Sequence, residues 1–304
     1  MRQSGHVVEQ LPMDACTEKG TFVSPAIIEL NDISELEREV FGPVLHVVRY
    51  KRPELDALID KINATGYGLT FGIHSRIDET IARVSNRIHA GNIYVNRNIV
   101  GAVVGVQPFG GQGLSGTGPK AGGPLYLYRL LSQGNDDMPR GIDLPGLNPA
   151  GTLLPGPTGE TNVYRLVPRG TVLAWPASAE GARLQLEQIL ETGNQVLFVD
   201  TPAIREWVGA LTTADNRERI AFVVEDRIDD ATVDAALFEG DGDTLRQLNL
   251  QLAARKGPIV IAQGLQTDEV LQGHRYAVSG LVHEQSISTN TAAAGGNASL
   301  MTIA

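Results

Sequence analysis

Short apolar runs alternate with amphipathic stretches along this chain, and that alternation limits the fold more than any other feature. Val44-Leu45-His46-Val47-Val48-Arg49-Tyr50 reads as a strand. Leu55, Leu58, Ile59 and Ile62 then share one face at helical spacing, which predicts a helix opened by Pro53 and capped by Gly66. Residues 67–74 read as a second strand. Residues 78–89 read as a second helix with Ile81, Val84 and Ile88 inward, ended by Gly91 before a strand into Asn96. The order β-α-β-α-β predicts a parallel sheet with right-handed crossovers, hence an α/β fold.

The pattern returns further on. Strands are expected at 171–175, 195–199, 220–224 and 259–261, and helices at 179–192, 203–211, 233–238 and 245–256. This second set alternates in the Rossmann manner. Its first strand runs into Pro176-Ala177-Ser178-Ala179 without a glycine cluster, so it is unequipped for a dinucleotide. Between the two sets lies a glycine-rich stretch, residues 92–123, and then LYLYRLL at 125–131, which suits a strand at a sheet edge or an oligomer interface. Residues 134–161 are rich in Gly, Pro, Asn and Asp without a period and read as a linker. At 304 residues the chain is long enough for two domains. The expected division is 1–133, a linker at 134–161, and 162–304.

The formal net charge of −10, with no Lys/Arg run, excludes a nucleic-acid footprint. One cysteine excludes a disulfide framework and suits a reducing, cytoplasmic setting. No apolar run is long enough to span a membrane, and MRQSGHVVEQLP is no signal peptide. The opening residues also lack a clean start to a domain, so a truncated product is expected.

Gly111-Gln112-Gly113-Leu114-Ser115-Gly116 matches G-x-G-x-x-G, but Thr117-Gly118-Pro119-Lys120 cannot open the helix that a dinucleotide fingerprint needs. Lys120 follows Pro119, so a Walker A loop fails too. Cys16 lies between Asp14 and Glu18, a setting that disfavours a thiolate. The six histidines show no metal spacing. Glu39 and Phe41, two apart in an extended segment, project to one side. Such a carboxylate can accept from a ribose diol while the ring supports a flat heterocycle. On spacing alone the plainer reading, an exposed acid beside a core Phe, is favoured.

Glu39-Val40-Phe41-Gly42-Pro43-Val44, Gly68-Leu69-Thr70-Phe71-Gly72, Gly91-Asn92-Ile93-Tyr94-Val95-Asn96 and Pro108-Phe109-Gly110-Gly111 together resemble the aldehyde dehydrogenase superfamily. The run from Asn96 through Gly101-Ala102 to Gly111 is similar to its L-glutamate γ-semialdehyde dehydrogenase branch. More narrowly it resembles the bifunctional members that also carry a proline dehydrogenase. The tail from Asn290 to Met301 resembles the C-terminal motif of the longer members, which have an extra dehydrogenase-like domain without catalytic equipment. The implied fold is a portion of an aldehyde dehydrogenase catalytic domain followed by a Rossmann-like α/β C-terminal domain.

The resemblance implies that Glu39 holds the nicotinamide ribose of NAD and Phe41 packs near the nicotinamide. It implies that Gly101 and Ala102 offer N–H groups to the substrate α-carboxylate, and that Phe109 walls the aliphatic part. Adjacent amides at a glycyl turn do form an anion-binding nest. The tail is implied to act as a lid, and residues 125–131 to join a homo-oligomer. The family's catalytic Cys, general-base Glu and NAD-binding half match nothing here, nor does a proline dehydrogenase with its FAD. Cys16 is not in the nucleophile's context. The 304 residues are therefore expected to be an inactive fragment of an enzyme that oxidises L-glutamate γ-semialdehyde to L-glutamate. The rival expectation is a non-catalytic assembly and lid module that binds no NAD.

Overall fold

The computed structural model describes residues 2–128, 130 and 151–292. The chain forms two compact units, one of residues 1–67 and 79–89 and one of residues 68–78 and 90–304.

The first unit holds strands β1 (Val8–Gln10), β2 (Ala26–Leu30) and β3 (Val44–Val48), in that order across one sheet. β1 runs antiparallel to β2, and β2 parallel to β3. Helices α1 (Leu55–Ala64) and α2 (Asp78–Arg87) follow the predicted spans closely. Ile59, Val84 and Ile88 are buried, as the helical spacing of the apolar residues requires. Polar groups then tie the two helices. Asn63 Nδ2 donates to the Arg87 carbonyl at 2.8 Å, and Arg83 and Arg87 pair with Asp56. A short 3₁₀ turn, Ile33–Glu35, follows β2. Its cap is Asp32, whose side chain accepts from the Ser34 N–H while Glu35 reaches back to the Asp32 N–H.

The second unit holds two larger sheets. Its strands, in chain order, begin with the two-residue β4 (Tyr67–Gly68, at the junction of the units), β5 (Thr70–Ile73), β6 (Asn92–Val95) and the two-residue β7 (Gln112–Gly113). They continue with β8 (Thr152–Leu154), β9 (Glu160–Pro168), β10 (Thr171–Trp175), β11 (Gln195–Val199), β12 (Ile220–Val223), β13 (Ala235–Glu239), β14 (Ile261–Leu265) and β15 (Val282–Asn290). Helices α3 (Pro124–Tyr128), α4 (Ala179–Glu191), α5 (Pro202–Leu211), α6 (Gly242–Ala254) and α7 (Thr267–Leu271) lie between them. One sheet has the order β12-β11-β10-β13-β14, all parallel. Val172, Leu173, Ala174, Phe198, Ala236 and Leu237 are buried at its centre. The other has the order β5-β6-β15-β9-β8. In it the late strand β15 runs parallel to β6 and antiparallel to β9, so residues far apart in the chain share a ladder, as Ile287 does with Ile93.

Several sequence expectations change. Residues 233–238, expected to be helical, contain strand β13. Ala-Ala-Leu-Phe favours a helix locally, but pairing with β10 and β14 buries both faces, and such strands carry no alternation to reveal them. The strand expected at 259–261 sits at Ile261–Leu265 instead. Residues 152–154 and 160–161 of the expected linker are strand, whereas 134–150 lie outside the described residues. The interface strand expected from Leu125 to Leu131 is instead the short helix α3, opened by Pro124, whose missing N–H costs nothing at a helix start. Leu125 is spent inside the chain against Tyr164, Leu166 and Val282, while Leu127 stays exposed; residues 129 and 131 lie outside the described residues. The tail splits: Ser286 to Asn290 belong to β15, and 293–304 lie outside the described residues.

Candidate functional site

β6 ends at Val95, and Asn96 turns the chain in the left-handed region at φ 55°. Its side chain holds both backbone groups of Ser75, with Oδ1 accepting from N–H at 3.0 Å and Nδ2 donating to the carbonyl at 2.9 Å. Arg97 pairs with Glu160 and stacks on Tyr94, 5.2 Å from its ring centre. These contacts anchor the start of a loop whose crest is exposed: Val100 and Val104 are 90 % and 97 % accessible. Gly101 and Ala102 lie in the crest. A Cβ built on Gly101 meets nothing within 4 Å. Among the described residues neither N–H of the pair has a hydrogen-bond partner. The loop is pinned again at Gln107, which is buried. Its Oε1 accepts from the Val103 N–H at 2.9 Å, and its Nε2 donates to Glu160 at 2.7 Å, Ser288 at 2.7 Å and Asn162 at 3.1 Å.

Pro108, Phe109 and Gly110 follow in a clamped turn. Asn92 Nδ2 donates to the Pro108 carbonyl at 3.0 Å, and Asn92 Oδ1 accepts from the Gly110 N–H at 3.1 Å. Phe109 exchanges both backbone hydrogen bonds with Ala121, at 3.0 and 2.9 Å. Lys120 is 2 % exposed, and its Nζ donates to Asn92 Oδ1 at 2.7 Å and to the Gly110 carbonyl at 2.6 Å. Burial pushes its ammonium down to about 7, an effect that the Glu284 carboxylate partly opposes. Glu284, itself raised by burial, accepts from the Lys120 N–H at 2.6 Å and from the Tyr164 hydroxyl at 2.8 Å. Gly91 and Gly123 leave room for this cluster: a Cβ at Gly91 would come within 1.9 Å of the Gly110 carbonyl, and one at Gly123 within 2.6 Å of Glu284.

The residues expected to meet the cofactor lie in the first unit. Glu39 is exposed and, among the described residues, has no hydrogen-bond partner. Phe41 is 97 % exposed, which overturns the plainer reading of it as a core residue. Both groups are exposed, and among the described residues Glu39 has no hydrogen-bond partner, as contacts to a ribose and a heterocycle would require. Gly101, Ala102 and Phe109 share one loop of the second unit. The G-x-G-x-x-G at residues 111–116 has no helix after it. Cys16 is exposed on a 3₁₀ turn capped by Asp14. Among the described residues no cluster of His, Cys, Asp and Glu could hold a metal, and no helix is long and apolar enough to cross a membrane.

The parallel sheet presents a second backbone nest between β10 and β13, where the strand order reverses. Glu239, 1 % exposed at the end of β13, fills it. One carboxylate oxygen accepts from the N–H groups of Ala177 and Ser178 at 2.8 and 3.0 Å, and the other from the Ser178 hydroxyl at 2.7 Å. Ser178 in turn caps α4. Only glycine fits at 181, since a Cβ there would lie 1.7 Å from Glu239. Sequence reasoning missed Asn92, Gln107, Glu239 and Glu284, and met Lys120 only as a failed phosphate ligand. Glu239 closes an apolar run, and Glu284 stands at the start of the alternating Glu284-Gln285-Ser286-Ile287-Ser288. An acid beside buried apolar residues was the available signal in each case.

Residues 4–133 match the aldehyde dehydrogenase family. Across nearly its whole length it is similar to proteins named bifunctional protein PutA. It is 48% identical to that of Escherichia coli (strain K12), over 94% of this chain and 24% of the relative. It is 46% identical to that of Rhizobium meliloti, over 100% of this chain and 27% of the relative. The chain thus spans about a quarter of the length of these curated relatives. The 1-pyrroline-5-carboxylate dehydrogenase of Bacillus subtilis (strain 168) is 41% identical over 36% of this chain and 21% of the relative. The solved structure of proline utilization A from Corynebacterium freiburgense shares the fold at a TM-score of 0.66 and 23% identity, over 96% of this chain and 30% of that one.

Proposed function

We propose that this chain is the C-terminal portion of a bifunctional proline-catabolic enzyme. In that protein it helps to form the site where NAD-dependent oxidation converts L-glutamate γ-semialdehyde (1-pyrroline-5-carboxylate) to L-glutamate. Residues 1–133 contribute to the aldehyde dehydrogenase domain, and 162–304 form a non-catalytic C-terminal domain beyond the 134–161 connection. The observation that carries the reading is the pair of N–H groups at Gly101 and Ala102 that have no partner among the described residues, held in an open crest by Arg97 and Gln107. A carboxylate placed there accepts two hydrogen bonds from fixed donors. Phe109, fixed by Ala121, walls the aliphatic chain of the same substrate. Glu39 accepts from the nicotinamide ribose, and Phe41 packs beside the ring. NAD, when bound, takes up the hydride. The thiolate nucleophile comes from polypeptide outside these residues, as Cys16 is not in that context.

Two measurements test this. The isolated 304-residue chain is expected to make no NADH from the semialdehyde, and measurable production would sink the fragment reading. In the complete enzyme, Gly101→Val is expected to raise KM for the semialdehyde about tenfold or more with little change for NAD. Equal effects on both would refute the carboxylate nest.

A second reading, favoured by Glu239 filling the nest at the switch of the parallel sheet, makes the whole chain a non-catalytic module that binds no NAD, with residues 125–131 serving assembly and the 286–304 tail a lid. Calorimetric titration of the chain with NAD separates the two. Weak binding through Glu39 and Phe41 supports the first reading, and none supports the second. The homo-oligomer would use the exposed Leu127 side of α3, and no residue here is proposed to hold FAD.

A further inference from the structure

The side chains of β15 alternate, and one set points at the substrate loop. Glu284 receives the Lys120 N–H at 2.6 Å, the Ser286 hydroxyl donates to the Pro108 carbonyl at 2.8 Å, and the Ser288 hydroxyl accepts from Gln107 Nε2 at 2.7 Å. Asn290 continues the set, donating to the Asn96 carbonyl at 3.2 Å. Residues two apart on a strand face one way, so a single register fixes all four contacts together. The set runs along the loop from its start at Asn96 to its end at Lys120. The intervening Gln285 turns to the other side and donates to the Ala90 carbonyl at 2.9 Å.

We infer that Glu284 and Lys120 are positioning residues through which the C-terminal strand sets the turn carrying Phe109. The route is short. Glu284 holds the backbone of Lys120; Lys120 Nζ holds the Gly110 carbonyl and the Asn92 side chain; Asn92 holds Pro108 and Gly110. Phe109 stands between the two clamped residues and has no side-chain polar group of its own to fix it. Tyr164, on β9, holds the second carboxyl oxygen of Glu284, so the neighbouring strand of the same sheet buttresses the clamp. The non-catalytic half of the chain thereby supplies a rigid edge, against which a glycine-rich loop, floppy by composition, takes one conformation.

The assignment rests on the reading of Phe109 as a substrate contact only for its purpose; the clamp itself is testable without it. Amide hydrogen exchange of the 304-residue chain, read at Phe109, Gly110 and Ala121, is the measurement. In Lys120→Met and in Glu284→Ala, exchange at these three amides is expected to rise about tenfold or more, while the central amides of β10 keep their wild-type protection. Glu284→Gln is expected to stay near wild type, because the amide oxygen can accept from the Lys120 N–H and the amide N–H can donate to the Tyr164 hydroxyl oxygen. Unchanged loop exchange in both disruptive variants overturns the inference, as does parallel loss of protection in β10. If Glu284→Ala does not fold, Lys120→Met carries the same decision. A separate arm adds L-glutamate to wild type and reads the amide shifts of Gly101 and Ala102. No shift there counts against the substrate reading, while the clamp stands or falls on exchange alone. A shift that weakens in Lys120→Met but not in Glu284→Gln joins the two.

Discussion

At Gly101 and Ala102 two consecutive N–H groups face no partner among the described residues, whereas at Ala177 and Ser178 two consecutive N–H groups converge on one oxygen of Glu239. The backbone chemistry is the same in both places, and a carboxylate suits both. In the loop no side chain among the described residues fills that role, and the substrate carboxylate proposed above would have to supply it. At the head of α4 it is built in, and the glycine at 181 exists to admit it. A parallel sheet with the usual crevice at its switch point is thereby converted from a candidate ligand site into a scaffold. What the scaffold lends to the other sheet is β15, whose polar face grips the loop. The difference teaches that an anion nest is defined by who supplies the anion, not by the nest.

The strongest way to break this comparison is Glu239→Ala. It strands two N–H groups and a hydroxyl in a buried site, and a loss of about 3 kcal/mol in chemical denaturation is expected. A loss under about 1 kcal/mol would mean that Glu239 is not the filling of the nest. Gly91→Ala comes next, with an expected cost of about 2 kcal/mol, since the new Cβ meets the Gly110 carbonyl at 1.9 Å. Gly101→Ala is its counterpart. The site is open and its φ is not positive, so stability should hold within about 0.5 kcal/mol. Equal costs for the two would erase the contrast between clamped turn and open crest.

Protonation gives a third test. Lys120 is held at about 7 against its ordinary 10.5, so between these values the unfolded chain carries a proton that the folded chain does not. Stability should therefore rise with pH through that window and level off above it, while below pH 7 this group contributes no slope. Glu284, raised from 4.5, acts in the opposite sense: the stability it confers is lost as pH rises through its folded value. Denaturation midpoints of wild type and Lys120→Met should diverge in slope above neutral pH, and parallel curves would remove Lys120 as the cause. The smallest effect is expected from Cys16→Ser. An exposed thiol whose turn is capped through its backbone should change stability by less than about 0.5 kcal/mol.

Much of the fold was legible. α1 and α2 were readable from Leu55, Leu58, Ile59 and Ile62, and from Ile81, Val84 and Ile88, because an amphipathic helix writes its burial into its own spacing. β10 and β11 were readable as compact apolar runs between turn signals. β13 was not, because a strand buried on both faces has no period and its alanines favour the wrong element. The loop residues Gly101, Ala102 and Phe109 could be singled out from their motif, but the groups that hold the loop could not. Glu284 lies 164 positions from Lys120, and no local pattern announces such a partner.

The sequence alone determined the α/β alternation of its helices and most of its strands, and the match of residues 4–133 to the aldehyde dehydrogenase family. These follow from local periodicity and from short motifs that need no partner to be read. The tertiary structure alone decided that a polar C-terminal strand completes the sheet begun by β5 and β6, and that Glu239 rather than a ligand fills the second nest. It also decided that Lys120, met in the sequence only as a failed Walker A lysine, is buried under the loop it fixes. Each of these depends on bringing distant segments into hydrogen-bond range, where burial removes water as the alternative partner and makes one arrangement much the best.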